Sequence, residues 1–136
     1  MTIIYPLIAM IFLTIIVGVQ LLYCNTKAVL NREVDIRHFR LFNSKIPKNL
    51  QSISQHYKNM FEMPILFYIL CILLIINNNY SQFDVIIAWG YVLFRLLHSL
   101  TRISNRNVNL RFGFFFGSFI ILVIGWINFL FNYLII

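Results

Sequence analysis

Between Phe112 and Ile136 the chain runs for 25 residues without one charged side chain, and between Ile3 and Cys24 it runs for 22. At about 1.5 Å per residue, either run wound as a helix crosses a hydrocarbon core of about 30 Å. Both runs are continuous and show no period of two, which excludes the strands of a membrane barrel. Composition agrees: of 136 residues, 60% are hydrophobic and 11% charged, where soluble domains average about 45–50% and about 25%. A soluble chain this short leaves about a third of its unfolded surface in water. A water-soluble domain is therefore excluded, and the solvent for most of this surface is lipid.

Two further apolar runs follow the same logic. One extends from Asn59 to Ile76 with Glu62 near its start, and Asn77, Asn78, Asn79 and Ser81 end it as a polar turn. The other, Phe83 to Leu100, contains Arg95 and His98. The expected fold is all-α: one integral-membrane four-helix bundle, up-down-up-down, over residues 1–136, with spans near 3–24, 59–76, 83–100 and 112–136. The first run reads as an anchor rather than a secretory signal, because no Lys or Arg precedes it and its positive charges follow it. The connection from Asn25 to Tyr57 exceeds the usual ~2–8 residues of a bundle. Pro47 suits a helix start, so a short helix is expected after it, leading into the second span.

The net charge of +7 would suit nucleic acid if it were spread over a soluble face. Instead Lys27, Arg32, Arg37, Arg40, Lys45, Lys48 and Lys58 gather between the first two runs, and Arg102, Arg106 and Arg111 between the last two. The turn between the middle runs has no basic residue. By the positive-inside rule the two basic loops are cytoplasmic, beside anionic lipid heads, and both termini are non-cytoplasmic. Cys24 lies at the inner end of the first span. Cys71 lies about 18 Å deeper along the second, so the two are expected as packed thiols, not a disulfide.

The polar residues inside the spans carry the functional information, since a charge facing lipid is expensive and usually marks a protein interior or a cavity. At about 100° per residue, Gln55, Asn59 and Glu62 share a ~60° sector of the second helix, and Tyr91, Arg95, His98 and Arg102 share another on the third. If the stripes face each other, Glu62 can meet Arg95 or Arg102. Arg95 alone has a second reading, a side chain snorkelling to the nearby interface. Pro64 likewise has two. It bends the second span by removing the partner of the Met60 carbonyl, or it sits harmlessly in a first turn.

Several cations, one carboxylate and two amide side chains suit a small ligand bearing carboxylates and an amine: arginines for the former, Glu62 for the latter. No His/Cys/carboxylate set at metal-ligand spacing appears, nor any Ser-His-Asp set or phosphate-cradling Gly loop.

The run Tyr57-Lys58-Asn59-Met60-Phe61-Glu62-Met63-Pro64, then Arg95-Leu96-Leu97-His98, then Arg111 at the mouth of the last helix, resembles the MAPEG family, the membrane-associated proteins in eicosanoid and glutathione metabolism. The resemblance covers nearly the whole chain. It implies a homotrimer of four-helix protomers that binds glutathione as co-substrate between neighbouring copies. Carried over, it assigns Lys58, Asn59, Glu62, Arg95, His98 and Arg102 to the glutathione pocket and makes Arg111 the catalytic cation that supports the thiolate. The sequence departs from the family at Lys58, where many members carry Arg; at Arg102, which replaces a tyrosine; and at Phe112 and Phe115, where some eicosanoid enzymes have a serine and a tyrosine. No arginine precedes Lys27 in the first span. What the resemblance implies is therefore a generic glutathione transferase or peroxidase acting on lipophilic electrophiles, with membrane lipid, a lipophilic substrate and further copies of itself as partners and no role for nucleic acid. A non-catalytic membrane protein of the same fold, binding lipids or partners, is the second reading. A transporter is disfavoured because the first span offers no ionisable group for coupling.

Overall fold

A computed structural model describes residues 2–35, 47–78, 80–104 and 107–134. Arg37, Arg40, Lys45 and Arg106, which the charge count places in basic loops, lie outside the described residues, as does Asn79 of the polar turn. The described residues form four long helices: α1 (Ile4–Leu30), α2 (Lys48–Ile76), α3 (Gln82–Ser104) and α4 (Val108–Leu134). Each is long and apolar enough to cross a membrane, and no strand occurs among the described residues.

One expectation needs correction. A helix does start after Pro47, as expected, but it is not short: α2 begins at Lys48 and continues unbroken for 29 residues to Ile76. No glycine or proline interrupts residues 48–63. Leu50, His56 and Met60 are buried along that stretch, which gives the early turns a packed face and lets the helix extend into the span. Pro64 consequently lies deep inside the helix, so the first-turn reading falls and the Met60 carbonyl loses its usual donor.

The chain forms two compact units, Met1–Leu13 with Glu62–Ile136, and Thr14–Phe61. In the second of these, Ala28, Val34 and Leu50 form a small core joined by Cys24. Gly18 lies under Tyr57, whose Cε2 would be 3.2 Å from a Cβ at that position. The C-terminal end of α1 closes by a Schellman pattern: Glu33 N–H donates to the Ala28 carbonyl (2.9 Å) and Arg32 N–H to that of Val29 (3.0 Å). The residue in the left-handed position is Arg32, at φ 58°. Glycine is usual there, and a Cβ in that conformation costs roughly 1 kcal/mol or more. Asn78 plays the same part after α2, at φ 49°, but asparagine tolerates it.

The first unit is organised around α3. Its buried residues recur as Asp84, Ala88, Tyr91, Arg95 and His98, while Ile86, Trp89, Leu93, Leu96 and Leu100 face outward. This inverts the order of a soluble amphipathic helix, as lipid demands: the polar stripe is inside. On α4 the buried set is Ser118, Leu122, Gly125 and Phe129, the matching seam of alternating four- and three-residue steps. Contacts run in opposite order along the two helices. Asp84 meets Asn128, Ile87 meets Gly125, Gly90 meets Ile121, Phe94 meets Gly117, and His98 meets Arg111. At 117 a Cβ would run into the Phe94 ring, so any larger residue forces that ring to shift.

Candidate functional site

At the start of α3, Ser81 caps the helix. Its N–H and hydroxyl both donate to Asp84 Oδ2 (2.8 Å each), and its Oγ accepts from Asp84 N–H at 3.4 Å, the reciprocal geometry of a capping box. The other carboxylate oxygen accepts from Asn128 Nδ2 of α4 at 2.7 Å. Asp84 is buried, yet both its oxygens are satisfied within the protein. This end of the helix pair is a closed structural joint.

About 16 Å along α3, Arg95 presents the opposite case. It is fully buried, and its Nε donates to Tyr91 Oη at 3.1 Å. The guanidinium carbon sits 5.5 Å from the centroid of the Tyr91 ring and 5.3 Å from that of Phe115. Tyr91 is itself held by a stack on Phe67, centroids 4.5 Å apart and planes inclined 16°. Nη1 and Nη2 of Arg95 have no hydrogen-bond partner among the described residues.

Two desolvated cation–π contacts contribute about 2 kcal/mol each and the tyrosine bond about 1–3. The effective penalty of burying one ion is itself several kcal/mol, and terminal donors without acceptors add to it. The arrangement tolerates the cation without neutralising it. The direction of the side chain also decides between the two readings of Arg95. It reaches back along α3 to a residue one turn nearer the helix start, away from the helix end at Ser104, so it does not snorkel.

Other cations surround this point. His98 is buried, and its Nδ1–H donates to the Arg111 carbonyl at 3.0 Å, which fixes the ring against the first turns of α4. Phe115 packs beside it, centroids 5.7 Å apart. Arg95, Arg102 and Arg111 all lie near enough for their charges to act on His98. Arg102 and Arg111 are half-buried and act on each other. The α3/α4 end thus gathers positive charge around a buried guanidinium with two free donors, an arrangement that attracts a carboxylate or another oxyanion.

The remaining expected residues sit differently. Glu62 is exposed on α2, and the anticipated pairing with Arg95 does not occur, because Nε of Arg95 goes to Tyr91 and its terminal nitrogens meet no acceptor among the described residues. The stripe of Gln55, Asn59 and Glu62 faces away from the side of α2 that buries Met60, Pro64 and Phe67. Lys58 is exposed and Asn59 half-buried; both belong to the Thr14–Phe61 unit. Sequence reading misses Tyr91 as the acceptor for Arg95 and Phe115 as its second aromatic wall. The four-residue step from Tyr91 to Arg95 is the available signal for the first, since such pairs meet on a helix.

Cys24 and Cys71 are both free thiols. No curated protein and no solved structure matches the chain. The family model described as the MAPEG family matches residues 3–131, nearly the whole length, and the chain belongs to that family.

Proposed function

We propose that this protein is a glutathione-dependent membrane transferase or peroxidase, acting on lipophilic electrophiles that arrive from the bilayer. The observation that carries this reading is Arg95, buried with two terminal nitrogens that no described residue accepts from. Glutathione brings two carboxylates, and the cations Arg95, Arg102 and Arg111 fit them and the sulfur. His98, tied to the Arg111 backbone, holds that cluster in place. Lys58 and Asn59 are assigned to the tripeptide by family membership alone.

Glu62 supports the companion proposal of a homotrimer. An exposed carboxylate on a membrane helix is expensive against lipid, and a neighbouring copy together with the amine of glutathione relieves it. The same reading orients the chain with its termini non-cytoplasmic, its helices up-down-up-down and the site at the cytoplasmic leaflet, on the strength of the loop charges.

Chemically, Arg111 stabilises the thiolate that forms when the thiol proton leaves to solvent. Sulfur then attacks the electrophilic carbon, forming a carbon–sulfur bond as a halide or similar group departs. The reading as a binding protein of the same fold draws on one observation: Phe115, not a hydroxyl, stands beside Arg95 and His98.

The test is calorimetry with reduced glutathione on the detergent-purified protein, joined to thiolate absorbance and turnover of an aryl halide. Wild type should bind, show a thiolate signal and turn over slowly. Arg111→Ala should lose about 1.4 kcal/mol of thiolate stabilisation for each unit the thiol pKa returns toward its free value. Binding without thiolate or turnover selects the binding protein, and turnover untouched by Arg111→Ala removes Arg111 from the chemistry.

A further inference from the structure

The left-handed cap of α1 poses a separate question within the Thr14–Phe61 unit. The cap is rigid: Val34 is buried against Ala28 and Leu50, and the backbone bonds of Arg32 and Glu33 lock the turn. It would close at least as well with glycine, yet the position holds an exposed arginine at φ 58°. Nothing among the described residues uses that side chain. Its acidic neighbours are engaged elsewhere: Glu33 Oε1 accepts from Asn31 Nδ2 at 3.4 Å, and Asp35 has an interaction of its own.

Location supplies the second argument. α1 has 27 residues and is therefore about 40 Å long, matching a bilayer of about 40–45 Å with its headgroups included. With α1 spanning, Arg32 stands at headgroup level, one turn beyond exposed Lys27. A shallow open concavity lined by Val29, Arg32, Val34 and Asp35 lies at this point. Val29 and Val34 offer apolar walls for the glycerol end of a lipid, Arg32 a guanidinium fork for a phosphate, and the Asp35 carboxylate on the same rim an acceptor for a headgroup hydroxyl.

We propose that Arg32 is a binding site for the phosphate of an anionic phospholipid, the strained cap position placing its guanidinium at the headgroup layer. The proposal is independent of glutathione and of the α3/α4 end.

The full chain in neutral, lipid-free detergent is titrated with phosphatidylglycerol, phosphatidylcholine and inorganic phosphate, and binding is followed by native mass spectrometry and by the melting midpoint. Wild type should bind phosphatidylglycerol in preference to phosphatidylcholine and gain no melting shift from inorganic phosphate. Arg32→Gly relieves the cap and should melt at or above wild type without lipid, while binding phosphatidylglycerol about fivefold more weakly. Arg32→Asn, which also tolerates the left-handed conformation, should do the same. Arg32→Lys keeps the charge and loses the fork, so its affinity should fall between. Equal affinity in Arg32→Gly and wild type, or wild-type affinity in Arg32→Lys, overturns the site. A wild-type shift with inorganic phosphate matching that with phosphatidylglycerol overturns the lipid source. Lower lipid-free melting of both neutral variants assigns Arg32 to the fold instead.

Discussion

The two ends of the α3/α4 pair treat buried charge in opposite ways. Asp84 receives three hydrogen bonds from Ser81 and Asn128, whereas Arg95 receives two aromatic faces and one tyrosine oxygen, and keeps two donors unused. A buried charge whose bonds are all made inside the protein holds helices together. One whose bonds are left open, beside further like charges, is lowered in energy by an anion that arrives from outside. On the proposed reading the first end is a joint and the second a ligand site.

Disrupting the joint should have the largest effect. Asp84→Leu removes the acceptor for three donors and strands the Asn128 amide, at about 3–5 kcal/mol. The melting midpoint in detergent should fall by about 10 °C or more, while the glutathione affinity of the folded fraction stays as in wild type. Unchanged melting with weakened binding would reverse the roles of the two ends.

Arg95→Met is the mirror experiment. Methionine fills the aromatic slot without charge, and replacing an uncompensated buried ion by an apolar side chain is neutral or stabilising. Melting should hold or rise, and glutathione affinity should drop by about one to two decades, the worth of a charge-assisted bond of about 1.5–3 kcal/mol. If the Arg95→Met chain fails to fold, Arg95 is a joint like Asp84, and the contrast collapses.

How much of this contrast the sequence discloses depends on whether the signal is local. The four membrane-length helices follow from uncharged length alone, and the polar stripe of Tyr91, Arg95, His98 and Arg102 follows from helical angle; three of these residues are buried and Arg102 is half-buried. What the stripe meets does not follow. Facing charges of opposite sign suggest Glu62 for Arg95, but the face that α2 turns inward is set by Met60, Pro64 and Phe67, and Glu62 lies off it. The anchoring role of Asp84 is equally hidden, because its partner Asn128 is 44 residues away and reads in sequence as one polar residue in an apolar run. The early start of α2 is concealed for a different reason. Lys48, Gln51 and Lys58 make the turns after Pro47 look like a short helix outside the span, while the buried residues that join them to it are spaced at a helical interval too sparse to register as part of one.

The smallest expected effect tests what keeps Arg95 open to a ligand. Tyr91 does two things: its hydroxyl oxygen accepts from Nε, and its ring, stacked on Phe67, forms one wall of the guanidinium slot. Tyr91→Phe separates them, keeping the stack and the cation–π face and deleting only the acceptor. That bond is worth about 1–3 kcal/mol, so the melting midpoint should fall by a few degrees, less than for Asp84→Leu. With Nε released, the guanidinium can turn within the slot and its terminal nitrogens lose their fixed aim. Glutathione affinity should then weaken about threefold to tenfold, with the loss in KM and little in kcat, because Arg111 and the thiolate are untouched. Tyr91→Leu removes the wall as well and should weaken binding and lower the melting midpoint further. If Tyr91→Phe binds as wild type does, the two rings alone orient Arg95, and the tyrosine oxygen belongs with the structural bonds of the Asp84 end.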